Sequence, residues 1–251
     1  MIGVNYGPAS KYYDLFGSKD DIDFYEELAL EHGKNALELG VGTVRVAIEL
    51  AKAGVTVLGI DNSRYMLNVA KAKLKKESEL VRSRVRLKLG DIRSFQLGES
   101  FPFVYLPSST FEHCVTTEDQ RKCFLSIYNV LEKNGVLAFD ISQDGNEKKP
   151  ESSWWIDRKE INPHEEVVRT IFSKRNPKTR VVSVNLFFDV YRNGRLTERY
   201  YEYGEAKLFS KEEIEKMSMK AGFKIHKVYG DFAKSIYHNK SQKAIFIAIK
   251  P

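Results

Sequence analysis

Asn35-Ala-Leu-Glu-Leu-Gly-Val-Gly-Thr43, followed by Val55-Thr-Val-Leu-Gly-Ile-Asp61, decides how this chain folds. An apolar run of strand character ends in a Gly-x-Gly turn, a helix-length segment leaves it, and a second apolar run ends in an acid. That order builds the ligand-gripping corner of a doubly wound α/β fold. Gly40 and Gly42 let the backbone come close to a ligand. Asp61 lies about 20 residues beyond the turn, where a carboxylate accepts both hydroxyls of a ribose. Asp91 closes a third strand-like run, so Glu38, Asp61 and Asp91 fall at the carboxyl ends of three consecutive strands, where open α/β sheets bind ligands.

Glu38 discriminates between nucleoside-bearing cofactors. A dinucleotide presents an anionic pyrophosphate to the turn and the helix N-terminus, and a carboxylate beside it repels. S-adenosylmethionine has no phosphate and carries an ammonium and a sulfonium, so the same carboxylate attracts. Val44 also stands where a dinucleotide site places its third glycine. With Glu-x-Gly-x-Gly and the acids at 61 and 91, the chain resembles the class I S-adenosylmethionine-dependent methyltransferases, whose first motif reads acid-x-Gly-x-Gly-x-Gly; Val44 departs from that pattern too. The resemblance implies that Asp61 holds the ribose diol with Asn62 and Met66 beside the adenosine, and that Asp91 and Ile92 border adenine. It further implies that Tyr13, in Tyr12-Tyr13-Asp14-Leu15, closes over the methionine end, where an aromatic face attracts a cation. Backbone carbonyls after the fourth strand, beginning at Leu106, would face the cofactor's amino group. The product would be S-adenosylhomocysteine.

Alternating segments predict a doubly wound, Rossmann-like seven-stranded α/β sheet in one domain, with an antiparallel β cap over 142–209 inserted after strand five. Strands are expected at 35–39, 55–60, 85–89, 101–106 and 136–140. Ser63 caps a helix whose Met66, Leu67, Ala70 and Leu74 share a face. Thr116-Thr-Glu-Asp119 opens a helix expected to stop at Asn134-Gly135, and Ser210-Lys-Glu-Glu213 opens another that stops at Ala221-Gly222. Residues 142–164 read as polar and irregular. Strands follow near 165–173, 181–191 and 196–206, with Asn193-Gly194 a two-residue hairpin turn. Two final strands, 224–229 and 244–249, complete the sheet.

Leu106-Pro-Ser-Ser-Thr-Phe-Glu-His113 is the expected reaction floor. His113 is the candidate catalytic base, its ordinary pKa suiting proton transfer near neutrality; a histidine bonded to backbone is the plainer alternative. Phe111, Trp154, Trp155, Tyr201 and Tyr203 are candidate substrate-binding residues, with packing inside the cap the alternative for the last four.

The chain has 251 residues, net charge +6 and two cysteines. No apolar run reaches the ~18 residues of a membrane span, and two cysteines make neither a disulfide framework nor a metal cluster. No secretory leader is evident at the N-terminus, so a cytoplasmic setting is expected. The basic excess suits an acidic substrate or RNA, though no RNA-binding module is visible; a Lys-rich solvated helix face, Lys71, Lys73, Lys75 and Lys76, is the plainer reading. The expectation is a methyltransferase moving a methyl group to a nitrogen or oxygen of a small molecule. Two alternatives stay open: an RNA or nucleoside methyltransferase, and a nicotinamide enzyme or cofactor binder without methyl transfer. Oligomeric state is not legible.

Overall fold

The computed structural model describes residues 6–142 and 152–251. Eleven strands are present among them: β1 (Asn35–Leu39), β2 (Thr56–Asp61), β3 (Val85–Leu89), β4 (Phe101–Leu106), β5 (Leu131–Ser142), β6 (Ser152–Asn162), β7 (Glu165–Arg175), β8 (Val181–Arg192), β9 (Arg195–Lys207), β10 (Lys224–Tyr229) and β11 (Lys243–Ile249). Seven form one mixed sheet in the order β10-β11-β5-β4-β1-β2-β3, and β6–β9 form a separate antiparallel meander. β1, β2, β3, β4 and β5 run parallel, while β11 pairs antiparallel with both β5 and β10.

The main sheet is covered on both faces, which explains the largely apolar, buried runs of β1, β2, β4 and β11. Helices α1 (Ile22–His32), α2 (Arg45–Lys52), α3 (Arg64–Leu74) and the short α4 (Glu79–Ser83) cover one side, packing Tyr25, Leu28, Leu50 and Leu67 on Val57, Phe103 and Ile247. On the other, α5 (Thr117–Val130) and α6 (Lys211–Lys220) set Phe124, Ile127 and Ile214 against Leu37, Val104 and Phe246. Caps sit where the sequence places them. Ser63, Thr116 and Ser210 accept from the backbone N–H three residues on, and Ser210 with Glu213 completes a reciprocal capping box. Asn193 and Gly194 both take positive φ, 49° and 72°, as a type I′ hairpin turn requires.

Two expectations fail for identifiable reasons. α5 stops at Val130, not at Asn134-Gly135, because Leu131 leaves the helix to pair with Phe101 and bury its side chain. Asn134, at φ 62°, then turns the chain inside the span of β5. Of the segment 142–164 expected to be irregular, 143–151 lie outside the described residues and 152–162 form β6, eleven residues paired with β7. β6 is a sheet-edge strand exposed nearly throughout, so its sequence lacks the alternation that one buried face imposes. No helix among the described residues is long and apolar enough to cross a membrane.

Candidate functional site

The carboxyl ends of β1, β2 and β4, with the loop after β3, surround a single cleft. Its floor is the turn 40–44. Gly40 sits at φ 74°, and a Cβ there would come within 2.6 Å of the Thr110 methyl. The N–H groups of Gly40 and Val41 both donate to the Ile60 carbonyl, folding the turn back over β2. Val44 adopts φ 62° and ψ 30°, a left-handed conformation, although it is a buried β-branched residue. The position thus keeps the backbone of a glycine while carrying a valine side chain, at a strain of about 1–3 kcal/mol.

Nine of the residues that the sequence assigns to the cofactor line this cleft together: Tyr13, Glu38, Gly40, Gly42, Asp61, Asn62, Met66, Asp91 and Ile92. Glu38 is buried, and the Tyr105 hydroxyl donates to its Oε2 at 2.8 Å. Burial pushes its carboxyl up to about 8, against the partial relief of that hydrogen bond and of Arg45. Asp61 is supported by backbone N–H groups. Its Oδ2 accepts the Gly42 N–H and its Oδ1 the Ser63 N–H, both at 2.8 Å, so it ties the β1 turn to the α3 cap. Burial raises its pKa and those two N–H groups oppose the rise. Asp91 is held by Arg93, whose Nε lies 2.8 Å from Oδ1 and whose guanidinium also reaches Asp119 at 3.1 Å; that clamp keeps the Asp91 carboxyl below its usual range.

His113 also lines the cleft. Its Nδ1 is 3.3 Å from the Glu205 carbonyl, which can only accept, so Nδ1 carries the proton and Nε2 is left with its lone pair. Burial pushes its pKa down, keeping the ring neutral.

The remaining sequence candidates lie elsewhere. Leu106 is buried behind the cleft, its carbonyl 3.4 Å from the Tyr25 hydroxyl. Phe111 is not on the reaction floor: it packs in the core against Phe124, Phe139 and Phe209, because the 110–113 turn points it inward. Trp154, Trp155, Tyr201 and Tyr203 are exposed on the four-stranded sheet, outside the cleft. Pattern alone does not tell which face of a sheet meets the site.

Several cleft residues escape the sequence reading. Arg45, the first residue of α2, places both guanidinium nitrogens on Asp21, at 2.5 and 2.6 Å, and one on Ser108 Oγ at 3.0 Å. Its position directly after the glycine turn was the available signal. Thr43 donates to Asp14 at 2.6 Å, and Lys73 pairs with the other oxygen of that carboxylate at 2.9 Å. Tyr6 meets Tyr13 edge-on at 5.1 Å and accepts the Ser63 hydroxyl on its carbonyl. Within the expected reaction floor, Ser108 and Ser109 both take positive φ, and Asp140, which the sequence reading passed over, fixes the turn by accepting the N–H and hydroxyl of Ser109 at 3.1 Å each.

The donor set favours a cationic ligand. Arg45 is spent on Asp21 and Arg93 on Asp91, so Asp61 is the lining carboxylate that neither arginine pairs, and buried Glu38 gains its charge when a cation approaches. A pyrophosphate would meet carboxylates here; an ammonium and a sulfonium would not be repelled.

Comparisons with known proteins agree with this chemistry. Residues 36–135 match the model of a methyltransferase domain. The chain is 26% identical to YqeM of Bacillus subtilis (strain 168), a methyltransferase by name, over 97% of this chain and 96% of that one. Among solved structures it resembles the CcbJ methyltransferase from Streptomyces caelestis, with TM-score 0.81 and 21% identity over 98% and 97% of the two chains. It also resembles CalS10 of Micromonospora echinaspora, an amino pentose methyltransferase solved with S-adenosylmethionine, with TM-score 0.71 and 20% identity over 98% of each.

Proposed function

The chain is a class I S-adenosylmethionine-dependent methyltransferase, and on that premise we propose that it transfers a methyl group to a nitrogen or oxygen atom of a small molecule. The observation that carries the cofactor side of this reading is the placement of Asp61 and Glu38 in a cleft whose two arginines are already paired, Arg45 with Asp21 and Arg93 with Asp91. In our reading Asp61 receives the ribose hydroxyls on the lone pairs that Gly42 and Ser63 leave open. Asn62 and Met66 flank the nucleoside, and Asp91 and Ile92 border the adenine. Tyr13, backed by Tyr6, closes the methionine end, and Glu38 supplies the negative charge beneath it.

When bound, S-adenosylmethionine supplies an electrophilic methyl carbon whose sulfur leaves as a neutral thioether. The protein's part is then alignment of the acceptor's lone pair and exclusion of water. In our reading the turn at Ser108 and Ser109, both at positive φ and pinned by Asp140, borders the acceptor's approach. Where that acceptor brings a proton, His113 Nε2 is the proposed recipient, the ring being oriented through Nδ1 on the Glu205 carbonyl. Amino sugars lead the acceptor screen because the resemblance to the amino pentose enzyme spans 98% of both chains. The two buried free thiols, Cys114 and Cys123, suit the reducing cytoplasm, where we place the protein.

The test is calorimetric titration with S-adenosylhomocysteine on wild type and Asp61→Ala, then transfer of labelled methyl to panels of amines, phenols, nucleosides and RNA. Losing charge-assisted ribose contacts weakens binding by about 10- to 100-fold, or 1.5–3 kcal/mol. Transfer to RNA in preference to every small molecule would overturn the acceptor class.

A further inference from the structure

The sheet β6–β9 has two faces with different fates. The inner one carries Val167, Leu186, Phe188 and Val190, which bury against Ala9 and Tyr12 of the 3-10 turn Pro8–Phe16. The outer one is defined by register. Trp154 stands opposite Phe172, which stands opposite Asn185 and then Tyr203; in the next row Ile156, Thr170, Phe187 and Tyr201 follow one another across the four strands. Residues two apart on a strand share a face, so the six apolar and aromatic members of these rows form one contiguous patch. Trp154 and Phe172 lie 4.6 Å apart between ring centres, and Phe187 and Tyr201 5.1 Å. Trp154 is 66% exposed, Ile156 67%, Tyr201 55% and Tyr203 46%. Monomeric proteins rarely leave a contiguous patch of this kind in water.

We propose that this outer face is the interface with a second copy of the chain, packed sheet on sheet about a two-fold axis. Two observations choose that occupant. The first is area: strands of 11–13 residues, four abreast, make a face of roughly 37 Å by 19 Å, about 700 Å², close to the ~800 Å² per partner of a stable interface. The second is charge. The aromatic centre is rimmed by both signs, Arg158, Lys174 and Glu205 with the Arg199–Asp189 pair at 2.6 Å, so the face can meet itself without one-signed repulsion.

The chain contains two tryptophans, Trp154 and Trp155, adjacent on β6 and therefore on opposite faces. Trp155→Phe leaves one fluorophore, seated in the patch. Sedimentation from sub-micromolar to about 100 µM protein is expected to show twice the 28.9 kDa chain mass. The emission of the Trp155→Phe variant should move to shorter wavelength over the same concentration range. Trp154→Glu with Tyr201→Glu should remain monomeric throughout, with unchanged S-adenosylhomocysteine affinity as the check on folding. A wild type that stays monomeric over this range overturns the proposal. So does a dimer that the double variant leaves intact, or a spectral shift that only phospholipid vesicles or acceptor amines produce.

Discussion

Glu38 makes a prediction that separates attraction of a cation from simple shape. With its carboxyl pushed up to about 8 by burial, Glu38 is neutral in most ligand-free molecules at pH 7. A sulfonium nearby favours the carboxylate, so binding S-adenosylmethionine expels that proton. The ionised fraction before binding is about 1% at pH 6 and about one half at pH 8. Affinity for S-adenosylmethionine therefore rises by up to about fifty-fold over that interval, or 2.3 kcal/mol, and levels off above it. At pH 7 about 0.9 proton leaves per site, which titration calorimetry reads from buffers of different ionisation enthalpy. S-adenosylhomocysteine shares the ammonium and carboxylate but lacks the sulfonium charge, so its profile is shallower and subtracts the ligand's own titration. Glu38→Gln keeps an oxygen to accept the Tyr105 hydroxyl and loses the pH dependence. Equal pH profiles for the two ligands in wild type, or an unchanged profile in the variant, would refute the electrostatic role.

The ligand-free protein should respond to pH with the opposite sign. Raised carboxyl pKa values stabilise the fold below the unfolded value and lose that contribution as pH climbs through the folded one; Glu38 at about 8 and Glu112 at about 7 thus predict a melting temperature that falls from pH 6 to pH 9, less steeply in Glu112→Gln. At Val44 the usual helix ranking inverts. Glycine relieves the left-handed strain that alanine keeps, while both lose the buried side chain, so Val44→Gly should be about 1 kcal/mol more stable than Val44→Ala in urea unfolding. His113→Asn retains an N–H for the Glu205 carbonyl and removes Nε2. If His113 is the base, kcat falls about 100-fold and the acidic limb of the pH–rate profile disappears, with cofactor affinity unchanged. An unaltered limb assigns the ring a positioning role.

The core of this molecule was legible because its strands are short apolar runs punctuated by glycine and acid. Asn35–Leu39 and Thr56–Asp61 sit where that punctuation puts them, and their order places nine cofactor candidates in one cleft. Two kinds of information were not in the pattern. A fully exposed edge strand has no period, so Asp157-Arg158-Lys159-Glu160 in β6 reads as loop. Side-chain direction across a turn or a two-faced sheet is decided by packing, which is why Phe111 enters the core and Trp154, Tyr201 and Tyr203 take the outer face of the cap. Tyr229 and Phe232 pack edge-on against Phe24 of α1.

The place of β11 between β5 and β10 has a consequence for synthesis. β5 takes β4 on one edge, but its other edge is filled by Lys243–Ile249, and the hundred residues between Ser142 and Lys243 must be made first. At about 5–20 residues per second that edge waits some 5–20 s on the ribosome. The meander of β6–β9, whose pairings are all between chain neighbours, can form within that interval, since local contacts close fastest. The nascent chain therefore completes its cap before the sheet that carries the chemistry, and the open edge of β5, with buried-to-be Phe139 and Ile141 flanking it, is the segment a chaperone would need to shield.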